Sequence, residues 1–399
     1  MDALMLPSNW QRVRLGNIAE IKRGASPRPI ENPKWFCANS NVGWVRISDI
    51  SKNSRFLYKT AQKLSKKGIE KSRFIKQNSL IMSMCATIGK PIITKIDTCI
   101  HDGFVVFENP KIDLNYLYYF LCYIEKEWLE SGQQGSQVNL NVDLIKNKEV
   151  FYPKDLNEQI AIANVLSDVD RYLYSLDALI LKKESVKKAL SFELLSQRKR
   201  LKGFNQAWQR VRLGDICEFG NGGAYETLIV ENGDFKLISL NSIDIDGNLK
   251  NTMKRVNFYD NSLKQDDIVM VLSDVAHGDF LGLCAVIPSN DYVLNQRMGR
   301  LRKRNDCINI LFLRLYINAN QKYFKMQGQG SSQLNLSKKA IEDFEILLPP
   351  LDEQIAIANI LSALDHEITS LKNKKRQFDN IKKALNHDLM SAKIRVLKN

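Results

Sequence analysis

At 399 residues the chain exceeds what a single hydrophobic core usually organises, so at least two domains are expected. Hydrophobic residues at 44% and charged residues at 26% are globular proportions and exclude a disordered chain or a fibre. The formal charge of +14, from 58 basic and 44 acidic residues, favours polyanionic partners such as nucleic acid or anionic lipid. No apolar run reaches the ~20 residues that span a bilayer, and the opening MDALMLPSNWQRVRLG lacks the pattern of a secretory signal. A cytoplasmic protein without a membrane partner is therefore expected. The cysteines (Cys37, Cys85, Cys99, Cys122, Cys217, Cys284, Cys307) show no CxxC spacing and mostly sit in apolar surroundings, which predicts buried free thiols. The histidines (His101, His277, His366, His387) are scattered, so a metal site is not expected.

The first element is an alternating segment (Val13, Leu15, Ile18) within WQRVRLGNIAEIKRG, read as a short strand. Gly- and Pro-rich turns separate it from the runs GWVRISDI, SLIMSMCA and GFVVF, also read as short strands. A helix is predicted from Leu114 to Leu129, then the glycine-containing loop QQGSQVNLN, then FYP ending at Pro153. After a long helical stretch the series restarts. WQRVRLGDICEFGNG begins at Trp208, 198 positions after Trp10, with Val211, Leu213 and Ile216 alternating in the same way. A second helix lies near Ile308 to Phe324, followed by the loop GQGSSQLNLS and LLP ending at Pro349. NEQIAIANVLSDVD from Asn157 returns as DEQIAIANILSALD from Asp352. Two copies in one order indicate a tandem duplication with pseudo-two-fold symmetry rather than a solenoid.

Each long helix follows a proline and is predicted to start with Asn157 or Asp352 as N-cap, with Glu158 or Glu353 facing the helix dipole. Ile162, Leu166, Val169, Leu173, Leu176, Ile180, Lys183, Lys187, Leu190 and Leu194 are spaced 4,3,4,3 along the first. Ile357, Leu361, Leu364, Ile368, Leu371, Lys375, Phe378, Lys382, Leu385 and Leu389 repeat that spacing along the second. This is a heptad seam, and the two-fold relation predicts an antiparallel pair with one globular domain at each end. The seam lysines are read as snorkelling stems without a function. At ~1.5 Å rise per residue, about 40 residues make a rod on the order of 60 Å long. The small residues Ala161, Ala163, Ala356 and Ala358 are candidates either for close packing within this rod or for close approach of a partner helix.

The expected fold is α+β, with two pseudo-symmetric globular domains joined by two long helices. Its parts are residues 1–153, a helix over 154–200, residues 201–349 and a helix over 350–399.

Among chemistry-bearing motifs, CEFGNGG at Cys217 suggests a nucleotide loop, but the first copy reads AEIKRGAS and no helix follows, so it is read as a turn. No NPP[YF] motif, Walker loop, nuclease carboxylate cluster or Ser/His/Asp set is present, and no catalytic residue is expected. Basic residues interleave with polar and aromatic ones in both variable regions. The first has Arg46, Lys52, Arg55, Lys59, Lys63, Lys66, Lys67 and Lys90; the second has Lys236, Lys250, Lys254 and Arg255. Lysines of this kind meet phosphates, whereas base discrimination needs Arg, Asn, Gln or Ser on a defined loop. That points to Arg46 and Ser48, to Ser239 and Asn241, and to the loops holding Gln137 with Asn139 and Gln333 with Asn335.

Two divergent regions, each opened by W-x-x-V-x-L-G-D/N-I and closed by a long helix beginning N/D-E-Q-x-x-I-A, resemble the specificity subunit of type I restriction-modification systems. The resemblance implies two target recognition domains reading the halves of an asymmetric bipartite site in double-stranded DNA. It also implies helices that set half-site spacing and help dock two methyltransferase subunits, with restriction subunits joining separately. S-adenosylmethionine, ATP and Mg²⁺ are then expected on those partners, with adenine as the modified base. A reader carrying its own methyltransferase or nuclease, a coiled-coil scaffold without sequence preference, and a reader for a related methylating system outside type I are the alternatives. The duplication further implies that residues 1 to about 200 alone would self-pair and specify a symmetric site.

Overall fold

The stretches after Pro153 and Pro350 each form one uninterrupted helix of 40 residues, Leu156–Leu195 and Leu351–Met390. They belong to a computed structural model that describes residues 7–51, 55–131, 140–275 and 279–396. The chain divides into two compact units, Met1–Asp177 with Asn373–Asn399, and Ala178–Lys372, so the division falls inside both long helices.

In the first unit the chain forms β1 (Trp10–Arg14), β2 (Glu20–Arg23), β3 (Gly43–Val45), β4 (Phe56–Leu57), β5 (Gln62–Lys63), β6 (Arg73–Ile75), β7 (Leu80–Ser83), β8 (Pro91–Thr94), β9 (Thr98–Ile100), β10 (Phe104–Glu108) and β11 (Glu149–Pro153). β1 pairs antiparallel with β11, tying the start of the unit to the foot of the first long helix. One sheet has the order β2-β10-β7-β8-β4 and another β5-β3-β9-β6, in which β3 and β9 run parallel. The apolar runs of β7, β8 and β10 are buried on both faces, and their alternation divides them between two cores. Leu80, Met82, Ile93, Val105 and Phe107 join Tyr116, Phe120, Trp128, Leu166 and Leu389. Ile81, Ile92, Phe104 and Val106 pack on Val45, Ile75 and Ile100 of the smaller sheet.

The second unit repeats this plan with β12 (Gln209–Arg212), β13 (Cys217–Asn221), β14 (Phe235–Ile238), β15 (Lys254–Val256), β16 (Ile268–Val271), β17 (Ser273–Val275), β18 (Cys284–Val286), β19 (Tyr292–Leu294), β20 (Met298–Lys303), β21 (Gln333–Asn335) and β22 (Glu345–Leu348). β12 pairs with β22, one sheet runs β13-β20-β16-β18, and β14 lies between β15 and a parallel β19. Ile268, Met270 and Leu301 face Phe312, Phe324 and Leu361, while Val269, Val271 and Met298 face Ile238 and Leu294. Each unit is mixed α and β, as expected.

Several local readings change. Leu15–Ile18 and Leu213–Ile216 are single helical turns, because their apolar residues are three apart and both are buried on one side. GWVRISDI is a strand only to Val45, after which Ile47–Ser51 turns helical. The helix from Leu114 divides into Leu114–Tyr123 and Glu125–Ser131, and its counterpart into Ile310–Ala319 and Gln321–Gln327. The segment around Gln333 is a strand paired with β17 rather than a free loop. CEFGNGG is the strand β13 followed by its turn.

The long helices begin one residue before the expected caps. The Asp155 carboxylate accepts from the Asn157 N–H at 2.9 Å, and the Pro350 carbonyl accepts from Glu353 and Gln354, so Asn157 and Asp352 lie inside the first turn. Glu158 and Glu353 do not face the dipole from solvent; they are 2% and 0% exposed. Glu353 accepts from Arg200 Nε at 3.0 Å, Arg200 Nη2 at 2.5 Å and Trp208 Nε1 at 3.0 Å. Glu158 accepts from Asn9 at 2.9 Å and from Arg395 Nη2 at 3.3 Å. Beside them Gln159 and Gln354 donate to the Pro153 and Pro349 carbonyls at 2.8 Å and accept from the Asp113 and Asn309 N–H groups at 2.8 Å. The repeated Glu-Gln pair is thus a clip holding strand end, helix cap and long helix together.

Every seam residue is buried or half-buried. In the first unit Lys375 pairs with Asp177 at 2.6 Å and Lys382 with Asp170 at 2.5 Å. In the second, Lys183 pairs with Glu367 at 2.8 Å, Lys372 with Glu184 at 2.7 Å, and Lys187 with Asp365. From Asp170–Lys382 to Asp177–Lys375, and from Lys183–Glu367 to Lys187–Asp365, numbers rise on one helix as they fall on the other, so the helices pair antiparallel within each unit. The seam lysines are therefore ion-pair donors across the helix pair, not idle stems. Lys187–Asp365 and Lys382–Asp170 occupy the same two repeat positions, 195 residues apart. The positions of Lys183 and Glu367 are filled in the first unit by Phe378 and Tyr172, with ring centroids 4.6 Å apart.

Candidate nucleic-acid interface

In both units the parallel strand pair ends at the same backbone platform. Val45 lies opposite Ile100, and Ile238 opposite Leu294. The next N–H, of Arg46 or Ser239, donates at 2.9 Å to a side chain three residues on, Asp49 Oδ2 or Ser242 Oγ, itself buried. A Cβ at Gly24 would collide with the His101 carbonyl, and one at Gly222 with the Asn295 carbonyl, which explains why glycine recurs there. Arg46 and Ser239 thus occupy one point of a common frame, as do Ser48 and Asn241, and His101 and Asn295.

In the first unit a hollow of about 330 Å³ is lined by Arg46, Ser48, His101 and Asp102 among others. Asp102 Oδ1 accepts from Ser26 Oγ at 2.8 Å and Oδ2 from Arg28 Nη2 at 3.1 Å, while Arg23 Nε donates to the Asp102 carbonyl at 2.7 Å. Burial alone would raise the Asp102 carboxyl, but the Ser26 hydrogen bond and the Arg28 charge hold it below the usual carboxylate range. Burial pushes the His101 imidazole below its ordinary value, against the pull of Asp102, and its Nδ1 accepts from the Gly103 N–H at 2.9 Å. In the second unit a hollow of about 430 Å³ brings together Asn241, Lys250, Ser273, Asp274, Arg297 and Gln333.

The expected contact residues divide accordingly. Arg46, Ser48 and Asn241 are exposed at the hollows, and Gln333 lines the second from β21. Asn335, on the same strand, accepts from Ser273 Oγ at 2.6 Å. Lys59, Lys63, Lys66, Lys67 and Lys254 are exposed, and Lys90 is half-buried. Lys52, Gln137 and Asn139 lie outside the described residues. Lys236 is held by Asp291 at 2.9 Å, and Arg255 Nη1 donates to the Gly233 carbonyl at 2.9 Å.

Arg55 is a correction. It is 6% exposed, donates to Tyr119 Oη at 2.9 Å, Ser167 Oγ at 2.6 Å and Asn115 Oδ1 at 2.6 Å, and packs against Phe56 and Tyr118. Its charge serves the interior, not a duplex. Arg28, His101, Asp102 and Arg297 were not singled out from sequence, since nothing local to them signals that strand ends bring them to a hollow.

Ala163 and Ala358 are also corrected: they are buried in the cores of their own units, while Ala161 and Ala356 are half-buried. Exposed apolar residues recur instead at Leu156 and Ile160, and again at Leu351 and Ile355. All seven cysteines are free; Cys37 and Cys307 are exposed rather than buried because both lie in surface turns. Among the described residues no His/Cys/Asp/Glu group could hold a metal, and no helix is long and apolar enough to cross a membrane.

Residues 7–183 and 205–378 each match the type I restriction modification DNA specificity domain. The chain belongs to that family, and DNA sequence recognition is the role that membership assigns. It is 25% identical to the type I restriction enzyme MjaVIII specificity subunit of Methanocaldococcus jannaschii over 99% of this chain and 95% of the relative. It is 24% identical to the EcoprrI specificity subunit of Escherichia coli over 45% of each. In fold it resembles the crystal structure of the type I S subunit from M. genitalium, with a TM-score of 0.64 at 17% identity, covering 97% of this chain and 98% of that one. A chain from a study of complex assembly and conformational transition of the type I R-M system aligns at a TM-score of 0.59 and 15% identity, covering 96% of this chain and 98% of that one.

Proposed function

We propose that this chain is the non-catalytic reader of a type I complex, each unit reading one half of an asymmetric bipartite site through the major groove. The observation that carries this reading is the repeated platform. One backbone frame, fixed by the same hydrogen bonds, presents Arg46 and Ser48 in one unit and Ser239 and Asn241 in the other. A constant frame with different polar side chains suits two readers of different base sequences. The net charge of +14 suits the phosphate backbone.

The long helices set the separation of the half-sites: a helix of 40 residues is on the order of 60 Å long, more than one DNA turn of about 34 Å. Two methyltransferase subunits dock on the apolar surfaces that recur at Leu156 with Ile160 and at Leu351 with Ile355, and restriction subunits join separately. S-adenosylmethionine, ATP and Mg²⁺ belong to those partners, and adenine is the modified base.

Arg46→Ala tests the assignment of readers to half-sites. Methylation mapped in cells carrying this variant should show relaxed choice at one position of one half-site, with discrimination there falling about ten-fold. The other half-site and the spacer should stay as in the wild type. A motif unaltered in both halves would count against the reading.

A further inference from the structure

We propose that Arg297 reads a guanine in the half-site bound by the second unit, its guanidinium donating to O6 and N7. The inference rests on the reading of that unit as a DNA reader and adds the residue and the base.

Arg297 combines three features. Its backbone is left-handed, with φ of 67°, a conformation that non-glycine residues adopt uncommonly. Its neighbours hold it there: Gln296 N–H donates to the Gly223 carbonyl at 2.6 Å, and the Arg297 carbonyl accepts from the Leu272 N–H at 3.0 Å. The first unit makes the equivalent bond, Met84 N–H to the Gly103 carbonyl at 2.8 Å, with a glycine at the position of the arginine. The glycine of the first unit is not left-handed, so the second unit keeps the hydrogen bond but departs from that backbone, adding a side chain in a conformation that only its surroundings maintain, an arrangement that clusters at functional sites.

The side chain is exposed, lines the hollow with Asn241, Lys250 and Gln333, and makes no hydrogen bond among the described residues. The Glu226 carboxylate is near enough to sense its charge, but it is already engaged by Asn295 at 3.0 Å and Gln296 at 2.8 Å. A planar fork of N–H donors in such a hollow matches the two major-groove acceptors of guanine, whereas the neighbouring amides match adenine.

The test uses Arg297→Gly, which removes the guanidinium and suits the left-handed backbone, so its melting temperature should not fall. Methylation mapped in cells carrying the variant should lose one guanine requirement from one half-site while the other half and the spacer stay fixed. On duplexes of the mapped site, 7-deazaguanine placed at each guanine in turn should weaken the assembled wild-type complex about ten-fold at one position, and the variant not at all there. Wild-type binding unaffected at every guanine overturns the proposal even if the variant fails to fold, as does an unchanged motif in a folded variant. Asn241→Ala separates the two failures. A relaxed half-site with Asn241→Ala but not Arg297→Gly condemns only the guanine assignment, whereas no change with either condemns the unit as a reader.

Discussion

Glu353 has no exposed surface, and its carboxylate gathers both nitrogens of the Arg200 fork and the Trp208 indole N–H. Glu353→Ala leaves the Trp208 N–H without its acceptor while Arg200, 22% exposed, turns to water, so the unfolding midpoint should fall. Denaturant unfolding measures this; a midpoint equal to the wild type would contradict the clip described above. The residue scale is also where sequence was least legible. Glu158 and Glu353 stood out through repetition, but a glutamate near a helix start reads as a dipole contact until the arginine that follows the other helix is in view. Arg55, followed by Phe56, looked like Arg46 as a surface cation, and only packing against Tyr118 and Tyr119 separates them. Arg297 gave no signal at all, because a left-handed φ is set by its surroundings.

Elements were more legible. The long helices were readable because no proline interrupts 40 residues and the 4,3 spacing persists throughout. Their cross-helix ion pairs were not, since pairing Lys382 with Asp170 requires a register between segments more than 200 residues apart. Short turns such as Leu15–Ile18 were misread because helical and alternating patterns overlap within four residues. For the Lys382–Asp170 pair, partly exposed at 31% and 19%, screening limits the coupling to about 0.5–1 kcal/mol. A double-mutant cycle with Lys382→Ala and Asp170→Ala should return that value and shrink in salt; strictly additive effects would show the pair to be incidental. Removing seven residues from each long helix shortens it by about 10 Å, so the mapped spacer should contract by about three base pairs. A spacer of unchanged length would show that the helices do not set it.

For the whole molecule, the order of repeated segments made the architecture readable: W-x-x-V-x-L-G opens each half and the Glu-Gln helix closes it. The divergent regions between them were readable only as positions. Arg46 and Ser48 could be named beside a strand, but which strand end they share with His101 and Asp102 depends on the parallel pairing of β3 and β9, which no local pattern encodes. The central claim, two different readers on one frame, is tested most directly by mapping DNA methylation in the host with the gene present and deleted. One asymmetric, interrupted motif should lose its methylation on deletion. A continuous or palindromic motif, or methylation indifferent to the gene, would contradict it.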